Sequence, residues 1–117
     1  MKPTRPTERD EDKALALRNL ASIHSKWEMH QEAVELLTMA VVHAPNDLLL
    51  VHQRAQEYAR LDNYELALPD AQQVVSMRPG WIEGLTHLGN VESKLGQWGA
   101  AAKHWHDAII LQPHNPV

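Results

Sequence analysis

Histidine is the reactive side chain in which this sequence is richest: eight occur among 117 residues, beside fifteen aspartates and glutamates, and cysteine is absent. Imidazole nitrogens bind zinc when several ligands converge on one point. His104 and His106 are the closest pair, but side chains two positions apart on a helix point roughly 200° apart. They therefore cannot hold one ion together. We predict no metal site and no cofactor, with the histidines at the surface or, like His24, packed on an apolar stripe.

No catalytic motif accompanies these histidines. The chain has no glycine-rich phosphate loop, no HExxH helix and no GxSxG turn. Without cysteine it also has no thiol nucleophile and no disulfide bond. The four tryptophans are spaced in a way that does not favour an aromatic cage for a methylated ligand. The sequence therefore predicts a protein that is not an enzyme.

The charge and hydropathy of the chain restrict its partners. Eleven basic and fifteen acidic side chains give a formal charge of −4, so no basic field is available for a phosphate backbone. No apolar run is long enough to span a membrane, and the segment 1–13 lacks the apolar core of a secretion signal. We expect no nucleic-acid partner, no membrane partner and an intracellular, cytoplasmic location.

A 34-residue repeat organises the chain, and it is clearest in the prolines Pro45, Pro79 and Pro113. No gap is needed to keep the register, which defines three units, 14–47, 48–81 and 82–115. The same step links five further sets: Ala21, Ala55 and Gly89; Ala33, Ala67 and Ala101; Ala40, Val74 and Ala108; Leu17, Val51 and Leu85; and the ring-bearing His30, Tyr64 and Trp98.

Each unit is predicted to contain two helices. In the first unit, apolar residues recur at helical spacing over 16–27 and again over 33–41, with a polar break between them. Turn-forming residues mark the corresponding breaks at 62–63 and 96–97, and proline then closes each unit. We predict an all-α fold, a right-handed superhelical stack of three antiparallel helix pairs.

Two segments depart from this regular pattern. Residues 1–13 contain two prolines and mixed charges, so we predict a flexible lead-in, and residues 116–117 form a short tail. Pro69 lies five or six positions into the second helix of the middle unit, where a missing donor disfavours helix. We expect that helix to start late, near Leu66, or to be distorted.

The repeat resembles the tetratricopeptide repeat. The resemblance lies in the 34-residue step, the small residue at the eighth place, alanine at the twentieth and proline at the thirty-second, and it covers about 100 residues. The sequence departs from the pattern at the eleventh place, which holds His24, Tyr58 and Glu92, and at the twenty-fourth, which holds Leu37, Ala71 and Trp105. These departures change packing volume and leave the predicted fold in place.

Stacking in register turns each outward position of the first helices into a row along the concave surface. Two rows consist of uncharged hydrogen-bonding side chains, which can pair with the backbone of an extended peptide, and one row is basic. Any exposed helix face is polar, so the alternative is a merely solvated surface. The candidate groove residues are Asn19, Gln53 and His87 at the sixth place, Ser22, Gln56 and Asn90 at the ninth, Arg18, His52 and Thr86 at the fifth, and Lys26, Arg60 and Lys94 at the thirteenth.

The resemblance also implies a test for one known ligand. Many chaperone-binding members hold the terminal carboxylate of an Hsp70 or Hsp90 tail through five residues, which correspond here to Leu15, Asn19, Gln53, Glu83 and His87. Only Asn19 matches, because lysines are expected at the positions of Leu15 and Glu83, an arginine at that of His87 and an asparagine at that of Gln53, which is a longer amide. We therefore expect tail capture to be weak or absent. An Hsp70 or Hsp90 co-chaperone domain with a degenerate carboxylate clamp remains an alternative.

The sequence as a whole predicts a non-catalytic protein–protein interaction module, a scaffold or adaptor whose concave groove binds an extended segment of a partner. Another alternative is a targeting domain cut from a multidomain enzyme, which the full reading frame would reveal. A helical repeat indicates a surface and not a ligand, so the identity of the partner stays open.

Self-assembly is the last alternative. Repeat stacks need polar ends, and members of the family usually carry a further amphipathic helix over the last repeat, which this sequence does not have. The third unit offers apolar side chains such as Trp105, Ile109 and Ile110 that would lack a cover. We expect either an excised piece of a longer protein or self-association through the third repeat.

Overall fold

Six α-helices account for the regular structure of residues 8–111, the part of the chain that the computed structural model describes. Each first helix packs on its second helix, and the pairs join through α2–α3 and α4–α5 contacts. The predicted all-α stack of three helix pairs is confirmed. None of the helices in this part of the chain is long and apolar enough to cross a membrane. In chain order the helices are α1 (Glu8–Lys26), α2 (His30–His43), α3 (Leu48–Arg60), α4 (Tyr64–Met77), α5 (Ile82–Lys94) and α6 (Trp98–Leu111).

The helix ends recur with the period of the sequence. The three first helices end at Lys26, Arg60 and Lys94, which occupy the same place in successive repeats. The three second helices begin at His30, Tyr64 and Trp98 and end at His43, Met77 and Leu111, with the same step. The register read from the sequence is therefore also the register of the backbone.

The turn inside each helix pair uses one backbone geometry three times. Glu28, Asp62 and Gly96 occupy the same place in their units and have φ values of 61°, 58° and 78°, in the left-handed region. The next residue donates its N–H to a carbonyl five positions earlier: Met29 to His24 at 2.8 Å, Asn63 to Tyr58 at 2.9 Å and Gln97 to Glu92 at 2.8 Å. This pairing closes a helix with a left-handed residue, a conformation that glycine adopts most easily.

The late start predicted for the proline-containing helix is wrong. α4 begins at Tyr64, where the side chain of Asn63 accepts a hydrogen bond from the N–H of Leu66 at 3.3 Å. Pro69 lies inside the helix. Its missing N–H leaves the carbonyl of Glu65 without a helical donor, but both residues are exposed, so water can serve that carbonyl. The cap and the burial of Ala67 hold the first turn in place.

The flexible lead-in predicted for residues 1–13 is wrong over residues 8–13, because α1 begins at Glu8 and these residues are helical. Acidic side chains fill the first turn, where they interact favourably with the helix dipole. Asp10 also accepts a hydrogen bond from His43 Nδ1 at 3.0 Å, which ties the added turns to α2. Residues 1–7 and 112–117, including the rest of the lead-in and the predicted tail, lie outside the described residues.

Small side chains let the two helices of each pair approach closely. Ala33, Ala67 and Ala101 are fully buried in the second helices. In the third pair the indole of Trp105 lies against Gly89, where an added Cβ would collide with the ring. The large Trp105 fits at the twenty-fourth place of the third unit because the eighth place of that unit is Gly89. In the middle unit the eighth place is Ala55, and it packs against a smaller residue, Ala71.

Candidate functional site

A cavity between α1 and α3 collects side chains from the predicted rows. It has a volume of about 230 Å³. Amide, hydroxyl and cationic groups from two adjacent first helices therefore share one space. The predicted residues that line this cavity are Ser22, Lys26, Gln53, Gln56 and Arg60, and Ala21, Ser25, Leu37 and Glu57 complete its wall.

A second cavity, of about 310 Å³, lies between α3 and α5. Gln56 lines this cavity and the first, so the two adjoin at its side chain. We call the surface formed by both cavities the groove. The predicted residues His52, Gln56, Thr86, His87 and Asn90 line the second cavity together with Ile82 and Glu83.

Three of the predicted residues lie outside these two cavities. Asn19 and Lys94 are exposed and line neither of them. Arg18 lines a smaller cavity of about 80 Å³ beside Leu15 and Asp47. Of the nine predicted residues that line the groove, Ser22 and Lys26 come from the first unit and the other seven come from the second and third units.

A buried carboxylate that the sequence did not reveal supports the first cavity. Glu57 accepts a hydrogen bond from Ser25 Oγ at 2.9 Å and one from His30 Nδ1 at 2.7 Å, and it forms a salt bridge with Arg60. This network joins the first two units across α1, α2 and α3. The guanidinium of Arg60 is half exposed but already paired, so Lys26 is the less encumbered cation of this cavity.

The wall of the second cavity contains two histidines in contact. The ring centroids of His52 and His87 are 5.4 Å apart and those of His52 and Trp81 are 4.7 Å apart, both in edge-to-face geometry. The Nδ1 atoms of both histidines and Oε1 of Gln53 are buried and find no hydrogen-bond partner among residues 8–111. These atoms mark the groove wall as incompletely satisfied, which costs free energy unless a partner is supplied.

Both histidines are uncharged at neutral pH. Burial lowers the pKa of His52, and the carboxylate of Glu83 partly opposes that shift. Burial also lowers the pKa of His87, to about 4, and His52 and Arg60 add to this shift. The second cavity therefore presents neutral imidazoles and one carboxylate, that of Glu83, and no lysine or arginine lines it.

The histidines and carboxylates of residues 8–111 do not form a metal centre, since no three of them are placed to hold an ion. The groove offers hydrogen-bonding amides, imidazoles and hydroxyls along its length. Its first cavity carries the cation of Lys26 and its second the carboxylate of Glu83. This arrangement can pair with backbone amides and with side chains of either charge.

Solved structures with the same architecture decide the fold family. The second TPR of Spaghetti (RPAP3) bound to HSP90 peptide SRMEEVD superposes with a TM-score of 0.82, covering 89% of this chain and 96% of the other, at 19% identity. The first TPR of the same protein, bound to the same peptide, gives 0.83 over 90% of this chain and 83% of the other, at 24% identity. The chain folds as a tetratricopeptide-repeat (TPR) domain. The fold expected from its repeat pattern is thereby confirmed.

Sequence comparison agrees with this assignment. The Hsp70-Hsp90 organizing protein of Triticum aestivum is 31% identical to this chain over 104 residues, which cover 89% of this chain. The chain spans only 17% of the length of that relative. No protein-family profile matches the chain.

Proposed function

We propose that this TPR domain is a non-catalytic adaptor that binds an extended peptide segment of a partner protein in its groove. The observation that carries the proposal is the joining of two cavities at Gln56, both lined by uncharged hydrogen-bonding side chains. Amides both donate and accept, so they suit a peptide backbone, which presents both kinds of group. As part of this proposal we place the domain in the cytoplasm. We also propose that it has no nucleic-acid partner, because its formal charge is −4.

The unpaired atoms in the groove wall support the same function. A buried polar atom without a partner costs roughly 1–3 kcal/mol. Rotation of the Gln53 amide or of an imidazole ring changes which of its polar atoms faces the groove. A ligand that forms hydrogen bonds with these groups therefore removes part of a free-energy cost that the free domain already carries, and this favours binding.

The experiment uses peptides selected against the wild-type domain from a displayed random library. We expect Gln53→Ala with Gln56→Ala to weaken the selected peptides about tenfold or more, because two hydrogen bonds of about 1 kcal/mol each are lost. The matched control is Gln72→Ala with Gln73→Ala, two exposed amides on the second helix α4. Equal affinities for both double variants would place the binding site outside the groove.

A second candidate is capture of the acidic tail of a heat-shock chaperone. It is favoured by the likeness to TPR domains bound to the HSP90 peptide SRMEEVD. Against it stand Leu15 and Glu83 at positions where the family resemblance places lysines, and the neutral His87 where it places an arginine. We therefore expect weak binding of this tail.

An amide-shift NMR titration with the peptide SRMEEVD separates the two candidates. Saturable shifts centred on Asn19, Gln53 and His87 would support tail capture. Absence of shifts at a peptide concentration of about 1 mM, where even weak ligands with a free energy of about −4 kcal/mol are detected, would remove the second candidate. It would leave the first candidate standing, because the library selection does not assume an acidic ligand.

A further inference from the structure

The outer face of α1 exposes apolar side chains at places that are covered in the other first helices. Leu20 is 45% exposed, whereas Leu88, its counterpart two repeats later, is 3% exposed. Ile23 is 41% exposed, whereas Val91 at the same place in α5 is 1% exposed. The first end of the stack therefore carries the same kind of face that α5 buries against α4.

The outer face of α6 exposes the complementary set. Ile109 is 68% exposed, whereas Val41 and Val75 at the same place in α2 and α4 are partly buried. Trp105 is 36% exposed, whereas Ala71 at the same place in α4 is buried. Ala102 is also exposed, whereas Leu68 at its place in α4 is partly buried.

The joint between the second and third units defines how two such faces fit. There Leu88 of α5 clusters with Ala71 of α4, and Leu68 and Val75 of α4 pack against this cluster. The counterpart of Leu88 at the first end is Leu20. The counterparts of Leu68, Ala71 and Val75 at the last end are Ala102, Trp105 and Ile109, each one repeat later. Both halves of an interior joint are thus present, exposed and uncharged, at opposite ends of one chain.

We propose that copies of this chain stack head to tail, with Leu20 of one copy packed among Ala102, Trp105 and Ile109 of the next. The contact continues the joint between α4 and α5 across two chains. It is heterologous, because each copy uses two different faces, and because it repeats the superhelical step of the stack it adds copies in an open filament and not in a closed ring. One helix face per copy gives an interface smaller than a standard stable one, so we expect weak association. The stacking lies at the ends of the domain and does not depend on what the groove binds.

Sedimentation equilibrium with single-face variants tests this arrangement. We expect the weight-average mass of the wild-type chain to rise as its concentration approaches roughly 1 mM, without a plateau at the dimer. Leu20→Glu blocks the first face and Ile109→Glu blocks the last face, so each variant alone stays monomeric. A mixture of the two variants has one intact pair of faces and forms dimers but no larger species.

Three results would overturn the proposal. The first is a wild-type chain that stays monomeric at every concentration. The second is a Leu20→Glu chain that still dimerises, because its dimer would have to form without the first face of either copy. The third is a mixture of the variants that stays monomeric while the wild-type chain associates. Val42→Glu is the control, because Val42 is 75% exposed on α2 and belongs to neither face, and this variant should associate like the wild-type chain. All three substituted residues are exposed, and circular dichroism verifies that each variant keeps its helical content.

Discussion

The imidazole rings of His52 and His87 meet edge to face on adjacent first helices, with their centroids 5.4 Å apart. Each ring has a buried Nδ1 without a hydrogen-bond partner among the described residues. Burial lowers the pKa of both rings, and two protonated imidazoles in contact would repel each other, so the packed arrangement favours the neutral forms. The groove wall is therefore sensitive to acid.

The first prediction concerns the pH dependence of stability. The pKa of His87 is lowered from 6.5 to about 4 in the folded domain, so the unfolded chain takes up a proton first as the pH falls. The contribution of this histidine is complete above about pH 6.5 and is lost as the pH falls towards 4. Between pH 7 and pH 4 we expect this histidine to lower the free energy of unfolding of the wild-type domain by on the order of 1–2 kcal/mol, allowing for partial solvent exposure of the ring. We expect this contribution to be absent from His87→Gln.

Urea unfolding at several pH values measures this effect. The free energy of unfolding of the wild-type domain should fall more steeply below pH 6.5 than that of His87→Gln. His106→Gln replaces an exposed histidine of α6 and should keep the wild-type slope. Parallel curves for the wild-type domain and His87→Gln would contradict the lowered pKa.

The second prediction compares two aspartates in ion pairs of different burial. Asp70 accepts two hydrogen bonds from Arg54, at 2.7 and 2.8 Å, and both side chains are largely buried. Asp107 pairs with Lys103 at 3.3 Å, and both side chains are exposed. We expect Asp70→Ala to lower the free energy of unfolding by about 3–5 kcal/mol, because it leaves a buried guanidinium unpaired. Asp107→Ala should cost less than about 1 kcal/mol.

Urea unfolding of both variants at neutral pH makes this comparison directly. Similar small losses for the two variants would mean that water reaches the Arg54 guanidinium once Asp70 is removed. The magnitude of the Asp70 effect therefore reports how well the α3–α4 contact excludes solvent.

The turns inside the three helix pairs were predictable from the sequence, because polar or turn-forming residues recur there at the same places, whereas the start of α4 at Tyr64 was not. The Glu57 network was not, since the tenth place holds Ile23 in the first unit and Val91 in the third, and no repeat pattern marks it. Its burial depends on Ser25 and His30, which come from other helices. A lone carboxylate in an otherwise apolar column is the only signal that the sequence offered.

The candidate site was predictable in outline, and the lead-in was not. All three residues at the ninth place line the two cavities, as do two of the three at the fifth, sixth and thirteenth places, and the three basic residues differ in their surroundings. Arg60 is paired with Glu57, and Lys94 lines neither cavity. The helical residues 8–13 escaped prediction because apolar periodicity begins only at Ala14, while the contact that holds them, between Asp10 and His43, joins two helices.

The third prediction exchanges residues between two equivalent turns. Glu28 and Gly96 have the same left-handed geometry, with φ values of 61° and 78°, and both are exposed. A left-handed backbone conformation destabilises a residue with a Cβ by roughly 1–2 kcal/mol. Glycine avoids this strain, but part of the gain is lost because glycine has greater conformational freedom in the unfolded chain. We expect Glu28→Gly to raise the free energy of unfolding by about 0.5–1 kcal/mol and Gly96→Glu to lower it by a similar amount.

Thermal unfolding of both single variants and of the combined exchange tests this prediction. The two turns are far apart along the stack, so the effects should add and the double variant should be close to the wild-type domain in stability. Two changes of the same sign would show that side-chain contacts of Glu28, and not its backbone, decide its effect.

The last prediction concerns the charge of the groove. Glu83 lines the second cavity beside the neutral histidines, and it repels the carboxylates of an acidic peptide. Glu83→Lys replaces this repulsion by attraction, so we expect the affinity for the peptide SRMEEVD to rise at least about fivefold, in line with about 1 kcal/mol for a solvated charge contact. Glu65→Lys makes the same change of charge at an exposed place on α4, outside the groove, and should leave the affinity near the wild-type value.

Calorimetric titration at low and high salt measures the affinity of both variants for the peptide, and the gain of Glu83→Lys should shrink at high salt. Equal gains for the two variants would mean that the peptide responds to net charge alone, and the second cavity would then have no part in recognising it.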